Sequence, residues 1–190
     1  MRSGLRETAE ERGRVWSSLL EAFRRRRSSP EARLAGIGLS KGMRVADVGS
    51  GYGFFAFPAA DLVGEEGAVY AIEPNPKRAE EISKRASERG VKNLKVVVSG
   101  AEDMGDVGTG EADFAISISS FHHFADAGKA LLEIRRIVRQ GGRVYIRDIK
   151  AGRVFEHGSV PEEFRAAVSL QFPDAEFEEG RGYLVAKVRL

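Results

Sequence analysis

The stretch Val45-Ala46-Asp47-Val48-Gly49-Ser50-Gly51-Tyr52-Gly53 carries the strongest structural signal of this chain, because it joins an apolar strand directly to three alternating glycines. Glycine lacks a Cβ atom and reaches positive φ at little cost, so the N–H groups of this turn can contact a bound small molecule. The turn predicts a nucleotide-like cofactor, with a plain tight turn as the alternative. The dinucleotide spacing Gly-x-Gly-x-x-Gly is not met, because Phe54 occupies the position of its third glycine.

Length and composition restrict the class of protein. The chain has 190 residues, 42% hydrophobic and 31% charged, which predicts one domain over 1–190, with a helical segment at 1–40 and the core at 41–190. No apolar stretch approaches the roughly 20 residues of a membrane-spanning helix, and no secretory leader is recognisable. We therefore expect a soluble cytoplasmic protein without a membrane partner.

Residue usage excludes several chemistries. The chain has no cysteine, which rules out disulfides, thiolate metal ligands and cysteine nucleophiles. Its three histidines, His122, His123 and His157, lack the spacing of a helical zinc motif, so no metal is expected. A net charge of +2 gives little support for a nucleic-acid partner. The scarcity of amides beside abundant Arg and Glu favours a thermophilic protein, which a melting midpoint of about 45 to 65 °C would contradict.

Apolar strands alternate with helical patterns, which predicts an α/β fold with a parallel sheet and helices on both faces. The expected parallel strands are 43–48, 68–73, 94–98, 112–118 and 143–149. Charged and apolar residues alternate over 174–179 and 183–190, which predicts an antiparallel hairpin at the sheet edge.

The periodicity and the capping residues locate the helices. Residues 5–27 predict an amphipathic helix, and its side chains Trp16, Leu19 and Phe23 are expected to cover either the ligand crevice at the strand ends or the flank of the sheet. The arginines at 24–27 read as a solvated helix end or as a patch for an anionic ligand or RNA.

Further helix signals lie along the core. Ser29 and Asn75, each followed by proline, predict two helix starts, and Ser159 opens a capping-box spacing. Another helix is expected to bury Leu131, Ile134 and Val138 before the glycine pair at 141–142.

Glu73 ends the second predicted strand about 20 residues after the glycine turn, where a carboxylate can accept both hydroxyls of a ribose. The alternative is that Glu73 only caps the helix that begins at Asn75-Pro76. Together with the glycine turn, this acid predicts an adenosine-type ligand.

With these motifs the chain resembles the class I S-adenosylmethionine-dependent methyltransferases, in particular small-molecule members of the quinone-biosynthesis type, over residues 30–190. The resemblance rests on 47–53, on Glu73, on Ala112-Asp113-Phe114-Ala115-Ile116 and on the helix, turn and strand of 130–144. It implies a doubly wound, mostly parallel seven-stranded sheet of order 3-2-1-4-5-7-6 with strand 7 antiparallel. It also implies S-adenosylmethionine as the cofactor.

The resemblance also assigns site residues. The methionine part of the cofactor would contact the glycine turn and the residues around it. The ribose would contact Glu73, and the adenine would contact the loop after strand 3. The residues assigned to the cofactor are Asp47, Gly49, Ser50, Gly51, Gly53, Glu73, Pro74, Ala101, Glu102 and Ser119. Gly100 stands where many relatives carry an aspartate that accepts from adenine, so Glu102 or Asp103 either replaces that acceptor or belongs to an ordinary acidic loop.

His122 and His123 follow strand 4, on the side where the family's methyl acceptor lies. Either imidazole is a candidate general base, against a wall-forming or helix-capping role. The segment 147–150 could contact an anionic acceptor group or form a surface loop.

The leading functional hypothesis is methyl transfer to a small-molecule acceptor by direct in-line displacement. The alternatives are methyl transfer to RNA or protein, a nicotinamide-dependent oxidoreductase, and a non-catalytic cofactor-binding subunit. The acceptor, the attacking atom and the oligomeric state are left open by the sequence.

Overall fold

The computed structural model describes residues 29–152 and 157–190. Its strands are β1 (Arg44–Val48), β2 (Ala68–Ile72), β3 (Leu94–Val97), β4 (Ala112–Ile118), β5 (Val138–Ile149), β6 (Glu176–Glu179) and β7 (Tyr183–Arg189). They form one seven-stranded sheet of order β3-β2-β1-β4-β5-β7-β6. The pairs among β1 to β5 are parallel, and β7 runs antiparallel to both β5 and β6. The predicted fold class and strand order are confirmed.

Helices cover both faces of this sheet. They are α1 (Pro30–Gly36), α2 (Ala56–Val63), α3 (Pro76–Glu88), α4 (Ala127–Ile137) and α5 (Pro161–Gln171), with a 3₁₀ turn at Phe121–His123. Successive residues of a strand point to opposite faces, so Val45 joins the core against α1 to α3, whereas Ala46 joins the core against α4 and α5. This two-sided burial explains why the parallel strands are almost continuously apolar.

Two predicted helix starts are confirmed by their capping bonds. The Ser29 hydroxyl accepts the Ala32 N–H at 3.0 Å, and the Asn75 side chain accepts the N–H groups of Lys77 and Arg78. The capping box predicted at Ser159 is wrong. Helix α5 begins after Val160 without a side-chain cap, because the Ser159 hydroxyl donates instead to Asp148 at 2.6 Å.

The helix α4 and strand β5 meet differently from the prediction. Val138 was expected on the buried face of the helix, but it is the first residue of β5 and pairs with Ala112. The register then shifts, so that Phe114 pairs with Arg143. The segment of β5 between Val138 and Arg143 is longer than the segment of β4 that it faces, so it bulges, and it contains Gly141 at φ +74°. The glycine pair therefore lies inside the strand and not in a turn before it. The predicted helix over 5–27, including Trp16, Leu19 and Phe23, lies outside the described residues.

Candidate active site

A cavity of about 470 Å³ lies beside the carboxyl ends of β1, β2 and β4, where the strand order reverses and α/β sheets bind their ligands. Of the residues assigned from the sequence, its walls include Gly49, Gly51, Glu73, Pro74, Ala101, Glu102, Ser119 and His123. Asp47, Ser50, Gly53 and His122 do not line it. Arg78 and Phe124 line it and were missed, because their place depends on how α3 and the 3₁₀ turn approach the strands.

The three glycines of the turn have different roles. Gly49 has φ +81°, and a Cβ atom there would lie 2.4 Å from Cβ of Ser120. Gly51 has φ +60° and open space at its Cβ position, which lets a ligand approach the backbone. Gly53 instead lies against the ring of Phe57, 2.8 Å from its Cβ position, so this glycine allows α2 to pack closely against the turn.

Glu73 links the glycine turn to the start of α3. Its carboxylate is 3% exposed, and its two oxygens accept the N–H of Gly51 at 2.9 Å and the N–H of Asn75 at 3.0 Å. Asn75, and not Glu73, is the N-cap residue of α3, so the alternative that Glu73 only caps this helix does not hold. A carboxylate has about four acceptor positions, so lone pairs remain for the hydroxyls of a ligand.

Asp47 is a buried carboxylate with an unsatisfied oxygen. It is 2% exposed, and its Oδ2 atom has no hydrogen-bond partner. Burial raises the pKa of Asp47 to about 7, and the negative charge of Glu73 adds to this effect. A buried acceptor without a donor is costly, so an ammonium or N–H group of a ligand near the turn would stabilise it.

Glu102 builds the wall after β3. Its Oε1 atom accepts the N–H of Ala125 at 2.7 Å and that of Asp126 at 3.2 Å, which ties this loop to the start of α4. Gly100 makes room for the arrangement, because a Cβ atom there would lie 2.7 Å from the Glu102 carboxylate. Asp103, the other candidate acceptor for adenine, is not part of the cavity wall.

The two neighbouring histidines occupy different environments. His123 lines the cavity, and burial, followed by the charge of His122, lowers the pKa of His123. The His122 ring is turned away and its Nδ1 lies 2.8 Å from Oδ1 of Asp148. The two ring centroids are 3.9 Å apart.

The segment 147–150 is not a surface loop throughout. Asp148 is fully buried, the Arg147 guanidinium lies 4.5 Å from the centre of the Tyr183 ring, and Lys150 pairs with Glu179. The contact between Asp148 and His122 was missed, since no sequence signal sets the register of β5 beside the 3₁₀ turn. Ser119, which follows β4, lines the cavity. Its φ of +60° is rare for a residue with a side chain.

Comparison with known proteins identifies the family. The family described as "Methyltransferase domain" matches residues 39–178. The chain belongs to the class I S-adenosylmethionine-dependent methyltransferases. A solved S-adenosylmethionine-dependent methyltransferase from Aquifex aeolicus is 25% identical and superposes with a TM-score of 0.74 over 84% of this chain and 88% of its own.

Curated relatives match parts of this chain. The aklanonic acid methyltransferase DauC of Streptomyces sp. (strain C5) is 36% identical over 120 residues, which are 63% of this chain and 52% of DauC. A protein-L-isoaspartate O-methyltransferase of Ignicoccus hospitalis is 43% identical over 60 residues, 32% of this chain and 28% of that protein. The chain thus spans about half the length of DauC and less than a third of the length of the isoaspartate methyltransferase.

The cofactor of the family, S-adenosylmethionine, fits the residues present. The open side of Gly51 admits a ligand to the backbone, and Glu73 offers lone pairs to sugar hydroxyls. Over residues 29–152 and 157–190, no group of three acidic or histidine side chains could hold a metal ion. Within the same ranges, no helix is long and apolar enough to cross a membrane.

Proposed function

We propose that this methyltransferase transfers a methyl group from S-adenosylmethionine to a small-molecule acceptor by direct in-line displacement. The observation that carries the proposal is the bond between the Glu73 carboxylate and the Gly51 N–H, at 2.9 Å, inside the cavity of about 470 Å³. This bond places a carboxylate for a ribose and bare backbone for an amino-acid tail side by side.

The cavity residues divide between the parts of the cofactor. Glu73 holds the ribose, while Gly49 and Gly51 admit the methionine part. Pro74 and Ala101 face the adenine from the loops after β2 and β3. Asp47 and Ser50 act from behind the wall, since the Ser50 hydroxyl donates to the carbonyl oxygen of Asp47 at 2.8 Å.

We assign His123 as the general base of the reaction. The acceptor heteroatom bonds to the methyl carbon, the carbon–sulfur bond breaks with its electron pair left on sulfur, and the acceptor proton passes to the His123 ring. The lowered pKa of His123 keeps this imidazole neutral, and therefore able to accept a proton, at neutral pH. Most of the acceleration comes from alignment in a dry site, which is worth roughly 7 to 11 kcal/mol.

The similarity to DauC, whose name gives aklanonic acid as its substrate, supports a small-molecule acceptor. The isoaspartate relatives share a shorter part of the chain, so a protein acceptor is an outcome of the test and not a second proposal.

Labelled methyl transfer into a cell extract, fractionated into metabolites, RNA and protein, tests the proposed function. We expect label in the metabolite fraction with the wild type, and label that accumulates at least about 100-fold more slowly with His123→Asn. Label only in RNA or protein would overturn the proposed acceptor. Calorimetry that finds binding of NAD but not of S-adenosylmethionine would overturn the proposed reaction.

A further inference from the structure

Asp148 collects three hydrogen bonds in the interior, although it does not line the cavity. Its Oδ1 lies 2.8 Å from Nδ1 of His122, and its Oδ2 accepts the backbone N–H of His122 at 3.0 Å and the Ser159 hydroxyl at 2.6 Å. The carboxylate is fully buried. A buried carboxylate with three donors is held in a single geometry, because losing any donor would leave charge unpaired.

These bonds join three separate parts of the chain. Asp148 belongs to β5, His122 to the 3₁₀ turn after β4, and Ser159 to the segment before α5. Ser159 is itself attached to the end of β5, since its N–H donates to the carbonyl oxygen of Ile149 at 2.8 Å. The 3₁₀ turn is therefore fixed from outside, through both the backbone and the side chain of His122.

Fixing His122 fixes its neighbour. A three-residue 3₁₀ turn has little stability of its own, so its orientation depends on such external contacts. The His122 ring packs against the His123 ring, with 3.9 Å between the ring centres. The charged or titratable groups that act on His123 are His122, Asp148, Arg78 and His157.

We propose that Asp148 is a positioning residue: it holds His122, and with it the 3₁₀ turn, so that the His123 imidazole faces the acceptor. The proposal rests on the proposed function, because it concerns the orientation of the assigned base. His122 acts through the proton on Nδ1, which Asp148 accepts, and takes no proton from the acceptor. Ser159 holds Asp148 in turn.

Substitutions of His122 test the proposal most directly. His122→Asn places an amide donor near the position of Nδ1, whereas His122→Gln places it near Nε2. We expect His122→Asn to keep at least about a third of the wild-type kcat. In His122→Gln and Asp148→Asn, kcat should fall roughly tenfold or more, which is part of the 10²–10⁴-fold rate enhancement that a positioned general base contributes. The KM for the methyl donor should stay within about twofold in all three, because cofactor residues are untouched.

Two further measurements separate positioning from folding. Asp174→Asn, on the surface, is the matched control for the charge change and should behave as the wild type. Nitrogen-15 spectra of the cofactor-free protein should show the His122 proton on Nδ1 in the wild type, and a change in that signal in Asp148→Asn. Equal loss of kcat in His122→Asn and His122→Gln, or an unchanged His122 spectrum in Asp148→Asn, would overturn the proposal.

The proposed function fails differently. If the wild type neither binds S-adenosylmethionine nor transfers its methyl group, the proposed function is wrong whatever the spectra show. If the wild type transfers methyl groups and Asp148→Asn keeps its full kcat, the function stands and Asp148 has only a structural role.

Discussion

Gly49 and Ser120 are in such close contact that a methyl group on Gly49 would lie 2.4 Å from Cβ of Ser120. The Ser120 hydroxyl donates to the carbonyl oxygen of Val48 at 2.8 Å, immediately before this glycine. The turns after β1 and β4 are thereby joined side by side. Both Gly49 and Ser120 line the cavity.

The first prediction compares two glycines of one turn. Gly49→Ala should lower the free energy of unfolding by roughly 2 to 5 kcal/mol, from left-handed strain plus overpacking. Gly51→Ala meets open space, so it should cost only about 1 kcal/mol of strain while its methyl group narrows the cavity. Urea unfolding measures both values, and equal losses would contradict the packing argument.

The second prediction concerns the ribose contact. Glu73→Gln keeps the size of the side chain but removes its charge, so S-adenosylmethionine should bind about 10- to 100-fold more weakly, as charge-assisted hydrogen bonds are worth about 1.5 to 3 kcal/mol. Isothermal calorimetry measures the change. Glu80→Gln, exposed on the following helix α3, is the control and should bind normally. Unchanged affinity in Glu73→Gln would remove Glu73 from the site.

The third prediction follows from the buried Asp47 carboxyl. Its pKa of about 7 in the folded protein exceeds its ordinary value of 3.8, so the folded state binds this proton more tightly. The resulting stabilisation is fully present below the unfolded pKa and is lost as the pH rises through the folded pKa. A shift of this size corresponds to about 4 kcal/mol.

Asp47→Asn cannot ionise and should lack this dependence. Without cofactor, the wild type should therefore lose more stability than Asp47→Asn when urea unfolding is repeated at about pH 5 and about pH 7.5. Parallel stability profiles for the two proteins would show that the Asp47 carboxyl is not perturbed.

The fourth prediction concerns the pH dependence of methyl transfer. Since the pKa of His123 lies below the ordinary value of 6.5, kcat/KM should stay level above that pH and fall only on the more acidic side. His123→Asn should lower kcat by about 10²- to 10⁴-fold and remove this acidic limb. An acidic limb that persists in His123→Asn would assign the titrating group elsewhere.

Local patterns were sufficient for the strands of the parallel sheet, and they singled out the glycine turn and Glu73, which contribute to the cavity wall. The alternation of strands and helices, the glycine turn and Glu73 lie in continuous stretches whose spacing is itself the signal. The side chains around the histidines were harder to assign. Their partners come from β5 and from the segment before α5, and only the strand pairing brings these parts together.

The packing of the chain changed three sequence interpretations. Ser159 caps no helix because its hydroxyl donates a hydrogen bond to the buried Asp148 carboxylate. Gly53 packs against Phe57 because α2 returns directly over the turn. Val138 begins a strand because Ala112 offers a pairing partner. For Ser159 and Val138, a contact from another part of the chain outweighed a local preference, whereas Gly53 meets a ring only four residues further along.

By itself, the sequence determined the class of fold, the order of its elements and the residues of the glycine turn, because hydrophobic period and glycine spacing act over short distances. Only the tertiary structure decided which of two adjacent histidines faces the cavity. Their neighbouring positions are equivalent in the sequence, and the buried carboxylate of Asp148, arriving from β5, holds one imidazole back and leaves the other exposed to the cavity.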